Sequence, residues 1–174
     1  MRDPDGTLEA ASGQLLMDFE VAAVAGSVAF LDRKLGIGAP DAKTLFKRAE
    51  ALESSDLAAA EVAYRQALAL TPDFADAYLN LGAILCEAQR FDDAVQLYEL
   101  AIVQCQQAPL VRFNRAIALE GQHRLEEAIA SYEQSLALDP GLADAHFNIG
   151  TLQEKLGDAR GALRHFSAYR RLHR

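Results

Sequence analysis

Ala75-Asp76-Ala77-Tyr78-Leu79-Asn80-Leu81-Gly82 is answered, 68 residues on, by Ala143-Asp144-Ala145-His146-Phe147-Asn148-Ile149-Gly150. That offset is twice 34, and at the midpoint stands a degraded copy, Pro109-Leu110-Val111-Arg112-Phe113-Asn114-Arg115-Ala116. Ala60, Ala94, Ala128 and Ala162 recur at the same 34-residue interval, and so do Tyr64, Tyr98, Tyr132 and Phe166. A fixed period of this length means stacked supersecondary units, because one unit cannot bury its own apolar face. Alanine and an aromatic four residues later share a helix face; the small residue admits a neighbouring helix and the ring fills the space beside it.

Composition agrees. Hydrophobic residues make up 51% of the 174 and charged residues 24%, a globular balance. Alanine recurs in nearly every segment, and only five prolines interrupt the chain. Alanine loses no side-chain entropy in a helix, so helix is favoured over strand. Helices are expected near 42–53, 57–70, 75–87, 91–104, 109–121, 125–138, 143–156 and 159–173, an all-α architecture. Turns fall at Ala88-Gln89-Arg90, His123-Arg124 and Leu156-Gly157-Asp158, while Pro72 and Pro140 follow second helices, where a missing N–H does little harm.

The period, with Leu81-Gly82, Ala94, Tyr98 and Ala101, then Ala128, Tyr132 and Pro140, resembles the tetratricopeptide repeat over residues 41–174. The resemblance implies a right-handed helical-repeat solenoid of four helix–turn–helix units, near 41–74, 75–108, 109–142 and 143–174. It also implies a concave groove lined by the first helices and occupied by a peptide or a partner's helix. Three departures stand out. Repeat one is a residue short at its internal turn, with Leu52 eight residues before Ala60. Gln106 replaces the terminal proline in repeat two. Arg112 and Arg115 stand where apolar residues would pack, so each guanidinium must reach solvent or a carboxylate. The family's extra C-terminal solvating helix is absent from the sequence, so the outer face of the last helix must be polar enough or covered.

Asn80, Asn114 and Asn148 form a ladder, 34 residues apart on successive first helices. Each amide has one acceptor and two donors, enough to pair with the N–H and C=O of an extended backbone. The resemblance implies that role, since some family members hold peptides through asparagines at this place; asparagine as the family's common residue there is the other reading. Leu79, Phe113 and Phe147 precede the asparagines and supply apolar contact in the same groove, or else pack into the core. Asp76, Glu87, Glu120, Asp144 and Glu154 also lie on first helices, and a groove edged by carboxylates prefers a neutral or basic ligand. A groove that grips a terminal carboxylate needs lysine and arginine, so that version is rejected for repeats two to four.

Other chemistry is not indicated. His123, His146, His165 and His173 have no cysteine or carboxylate at ligand spacing. Gly36-Ile37-Gly38 lacks the third glycine and flanking strand of a phosphate loop. No serine sits in a nucleophile elbow. An enzyme is not expected, and neither is a cofactor or metal. The formal net charge of −8 argues against attraction to nucleic acid or an anionic membrane. The charge is uneven: Lys155, Arg160, Arg164, Arg170, Arg171 and Arg174 face one acid, Asp158, a solvated helix end or a docking patch for an acidic partner. Cys86 and Cys105 lack framework spacing and fit a reducing, cytoplasmic compartment.

The first forty residues lie outside the repeats. Residues 1–14 read as disordered, residues 18–35 as an apolar helix, and Gly36 to Pro40 as a hinge. The apolar run Val21 to Leu31 is too short to span a bilayer, and the acids before it exclude a secretory signal. Residues 12–19, Ser12-Gly13-Gln14-Leu15-Leu16-Met17-Asp18-Phe19, resemble the connector of bacterial MerR-type regulators that carry a C-terminal repeat domain. The expected function is a protein- or peptide-binding scaffold. The alternative is a self-association or effector module of such a regulator, its DNA-binding domain not in this chain, with a homo-oligomer formed through the N-terminal helix.

Overall fold

The computed structural model describes residues 39–173. Among the described residues the eight helices are α1 (Ala42–Leu52), α2 (Leu57–Leu70), α3 (Ala75–Glu87), α4 (Phe91–Gln104), α5 (Pro109–Gly121), α6 (Leu125–Leu138), α7 (Ala143–Lys155) and α8 (Ala159–Leu172). No strand occurs among the described residues, and each helix lies within one residue of its expected bounds. They form four antiparallel pairs, α1–α2 to α7–α8, stacked in chain order as a right-handed solenoid, and α3 also touches α5. First helices thus line up beside one another. The expected helix at 18–35 and the residues resembling a regulator connector lie outside the described residues.

The alternation of small and aromatic residues builds each pair. Ala60, Ala94 and Ala128 are fully buried, and Tyr64, Tyr98 and Tyr132 are almost fully enclosed. A Cβ on Gly82 would lie 2.1 Å from the Tyr98 ring, and one on Gly150 would lie 2.7 Å from the Phe166 ring. Ala49 and Ala116, also fully buried, hold the matching places in repeats one and three.

The turns repeat as faithfully. Gln89 (φ 58°), His123 (φ 60°) and Gly157 (φ 82°) each adopt the left-handed conformation that ends a first helix. Each such turn is closed by the same bond: Arg90 N to Leu85 O at 2.8 Å, Arg124 N to Leu119 O at 2.9 Å, Asp158 N to Gln153 O at 2.8 Å. Repeat one has no left-handed residue; Asp56 N donates to Leu52 O, and the Asp56 side chain caps α2 at Ala59 N. One residue fewer makes the shorter turn. Gln106 changes nothing in its own turn, since Ala108 N still donates to Cys105 O, as Phe74 N does to Thr71 O and Leu142 N to Asp139 O.

Arg115 occupies the place of the fully buried Leu81 and Ile149, and it is accommodated by pairing. Its Nη2 lies 3.0 Å from Glu99 Oε1 and its Nη1 3.4 Å from Ser131 Oγ, while Nε is buried without a partner. Ser131 stands where repeat two has Leu97, which leaves room for the guanidinium. Arg112 is half-buried and donates to Ala108 O at 3.5 Å.

Two stability outcomes follow from this packing. Leu81→Ala removes a fully buried side chain and is expected to cost about 2–5 kcal/mol in urea unfolding. Gln89→Gly and His123→Gly relieve left-handed strain and are each expected to add about 0.5–1 kcal/mol. A loss of stability in both glycine variants would contradict the turn assignment.

Candidate functional site

The asparagine ladder is tied into the scaffold on one side. Asn80 Nδ2 donates to the Tyr64 hydroxyl at 2.9 Å, and Asn148 Nδ2 donates to the Tyr132 hydroxyl at 2.9 Å. The tyrosine stands on the second helix of the preceding repeat, sixteen residues back, so each bond joins two repeats. Those hydroxyls in turn donate to a carboxylate at the end of their own first helix: Tyr64 to Glu53, and Tyr132 to Glu120 at 2.6 Å. Glutamate, tyrosine and asparagine therefore form a relay across the repeat junction. Burial and then the neighbouring carboxylate push both phenol pKa values well up, so the hydroxyls stay protonated and keep donating.

The middle junction differs, and Gly82 is the reason. Because Gly82 has no Cβ, the Tyr98 ring settles closer to α3 and its hydroxyl points to Leu79 O at 3.4 Å. Cys86 stands where repeat three has Glu120, so the relay has no carboxylate there. Burial pushes the Tyr98 pKa up, and the Cys86 thiol adds to this.

Each asparagine keeps unspent capacity. In Asn80 and Asn148 one N–H is used; the carbonyl oxygen and the second N–H have no partner among the described residues. All three asparagines are half-buried. Leu110, Phe113, Asn114, Ile117 and Glu120 follow one face of α5, with Leu110 45% and Ile117 41% exposed. Phe147, 46% exposed, leans on Phe166 and Tyr169, with ring centroids at 5.9 and 5.3 Å. Phe113 sits edge-on to Tyr132 at 5.1 Å and joins the core margin, as does half-buried Leu79. Asp76 and Asp144 are exposed in the first turns of α3 and α7, where they also complement the helix dipoles. Glu120 is half-buried and bound to Tyr132, whereas Glu87 and Glu154 are exposed.

A cleft of about 350 Å³ opens between the α1–α2 turn and α3, lined by Glu53, Ser54, Leu57, Asn80, Ile84 and Glu87 among others. Sequence reasoning singled out Asn80 and Glu87 here and missed Glu53, Leu57 and the three tyrosine hydroxyls. A signal existed: Tyr64–Asn80, Tyr98–Asn114 and Tyr132–Asn148 share one sixteen-residue spacing. At the next junction the matching cleft is filled, since a Cβ on Gly121 would lie 2.4 Å from the Phe91 ring. At the third, Lys155 stands at the position of Glu87.

A solenoid of paired helices with a row of half-spent amides along its first helices defines a repeat scaffold of the kind that mediates protein interactions. Family comparison makes it specific: residues 41–109 match the "Tetratricopeptide repeat" profile and residues 122–157 match a second profile described as "TPR repeat". The chain belongs to the tetratricopeptide repeat family. It is similar to the TPR repeat-containing thioredoxin TTL4 of Arabidopsis thaliana, 36% identical over 84 residues, 48% of this chain and 12% of that protein. It is also similar to anaphase-promoting complex subunit 3 of Schizosaccharomyces pombe, 25% identical over 108 residues, 62% of this chain and 16% of that one. The chain thus spans a small part of the length of both. Among solved structures, a crystal structure of MamA aligns with a TM-score of 0.71 at 19% identity, covering 99% of this chain and 96% of that one. A second, "MamA MSR-1 C2", gives 0.63 at 26%, covering 77% and 78%.

The relay predicts unequal tyrosines. Tyr132→Phe breaks a bond to a carboxylate and another to Asn148, and is expected to cost about 1–3 kcal/mol in chemical unfolding. Tyr98→Phe loses only a long contact to Leu79 O and should cost clearly less. Equal losses would contradict the two-geometry description.

Proposed function

We propose that this chain is a non-catalytic scaffold that holds an extended segment of another protein along the shared face of its first helices. The observation that carries this reading is the half-spent asparagine: the scaffold fixes the amide through one N–H and leaves the carbonyl oxygen and second N–H for a ligand backbone. Pre-set amides lose little freedom on binding, which is where affinity for extended chains comes from. Exposed Leu110, Ile117 and Phe147 interleave with them and reward burial of apolar ligand side chains. Contacts to backbone read chain shape, so sequence preference must come from elsewhere.

The cleft at the first junction supplies that preference. Its walls are Leu57, Ala83 and Ile84, and its rim carries Glu53 and Glu87. Such a cleft suits a lysine or arginine, whose stem packs on the apolar wall while its cation meets the carboxylates. Asp76 and Asp144 extend the acidic edge. The working compartment on this reading is the cytoplasm, with Cys86 and Cys105 as free thiols. Among the described residues no helix is long and apolar enough to cross a membrane.

A second surface is favoured by one observation. Leu100 and Val103 on α4 are 51% and 64% exposed, beside a cleft of about 370 Å³ lined by Arg65, Leu68, Leu97 and Leu100 among others. A partner or second copy seated there would fit the self-association or regulator-effector role instead.

Selection from random displayed peptides tests the proposal. The expected winners carry lysine or arginine among apolar residues, and Asn114→Ala should weaken them about 2- to 12-fold, from roughly 0.5–1.5 kcal/mol per amide contact, without lowering stability. Glu87→Lys should remove the preference for basic residues. Acidic winners, or binding untouched by both substitutions, would overturn the groove assignment.

A further inference from the structure

Position pairs nineteen residues apart sit at the same place in successive repeats, joining a first helix to its second. In repeat two the pair is Tyr78 with Leu97, both buried; in repeat three Ser131 Oγ donates to Arg112 O at 2.9 Å. In repeat four the pair is His146 on α7 with His165 on α8, and their Nδ1 atoms lie 3.0 Å apart. Apolar packing meets the structural need here, as repeat two shows, so two imidazoles add something packing does not require.

We propose that His146 and His165 form a two-imidazole site for a divalent copper ion, bound through both Nδ1 atoms. The spacing selects the geometry. Metal–nitrogen bonds of about 2.0–2.1 Å meeting two nitrogens 3.0 Å apart subtend about 91–97°. That is the cis angle of a tetragonal or square-planar centre, the preference of copper(II) and nickel(II) with nitrogen donors. A tetrahedral zinc would need the nitrogens about 3.3–3.4 Å apart. Copper(II) stands above its neighbours in affinity for such donors.

The surroundings leave the lone pairs available. Without a metal one Nδ1–H donates to the other Nδ1; neither ring has another hydrogen-bond partner among the described residues, so the donor ring is free to carry its proton on Nε2 instead. With both Nε2 atoms protonated, both Nδ1 lone pairs are available to one ion held between α7 and α8. Burial lowers the pKa of His146, helped by His165 and Arg171, and burial then Arg164 lower that of His165. Both remain half-exposed, so water fills the remaining coordination positions. Among the described residues no third histidine, cysteine or carboxylate converges there, which makes this a two-point site with exchangeable ligands. Arg164 and Arg171 oppose any added cation and limit its affinity.

Copper(II) titration of the untagged chain, followed by electron paramagnetic resonance, tests the site. The wild type should give a tetragonal signal with nitrogen couplings from two imidazoles. His165→Ala should weaken binding about tenfold or more, since even outer partners of a metal ligand contribute that much. The double variant His146→Tyr with His165→Leu transplants the pair from repeat two, keeping the packing while removing both donors. It should retain the helical circular dichroism and lose the signal, whereas His123→Ala and His173→Ala should keep it. Absence of an imidazole signal in the wild type, or its survival in the double variant, would overturn the site.

Discussion

Every repeat depends on one contact, an aromatic ring of the second helix seated against a small residue of the first. Where Gly82 and Gly150 stand, the rings of Tyr98 and Phe166 occupy the volume a Cβ would take. Where Ala49 and Ala116 stand, Tyr64 and Tyr132 are enclosed yet keep their hydroxyls free to bond across the junction. The choice between glycine and alanine therefore sets more than the helix separation. Beside alanine the phenol reaches the next repeat's asparagine and its own repeat's glutamate; beside Gly82, with Cys86 in place of the glutamate, it turns to Leu79 O.

On the proposed function, that coupling links stacking to recognition. A free asparagine side chain loses rotamer freedom when it clamps a ligand. Asn80 and Asn148 have already lost it to the scaffold, and the junction bond that orders them is also one that holds neighbouring repeats together. On the proposed function, stability and binding share side chains at the first and third junctions and separate at the second, where Asn114 meets a differently placed tyrosine. The acidic first cleft, the Phe91-filled second and the lysine-bearing third show the same divergence of once-equivalent places.

Much of this was legible in the sequence because period and packing are the same fact: the interval between Ala60, Ala94, Ala128 and Ala162 is the interval between stacked hairpins. The short turn of repeat one was legible as a missing residue, and the structure explains it by the absence of a left-handed position there. The requirement on Arg115 was legible as well, though Glu99, which answers it, was not singled out; it stands at the same sixteen-residue spacing as the tyrosine–asparagine pairs. The site was less legible. Asparagine at a fixed interval reads equally as clamp or brace, and it took the positions of the tyrosine hydroxyls to show that Asn80 and Asn148 brace with one N–H. The closeness of His146 and His165 had no sequence signature, because it depends on how α7 packs on α8.

On the proposed function the ligand surface runs along the first helices through the unspent capacity of each asparagine. Side-chain amide and methyl chemical shifts, mapped by nuclear magnetic resonance while a lysine-containing extended peptide is added, test it most directly. Shifts are expected to concentrate at the amides of Asn80, Asn114 and Asn148 and at the methyls of Leu110 and Ile117, with α4 undisturbed. Shifts confined to Leu100 and Val103, with the asparagine amides unmoved, would contradict it.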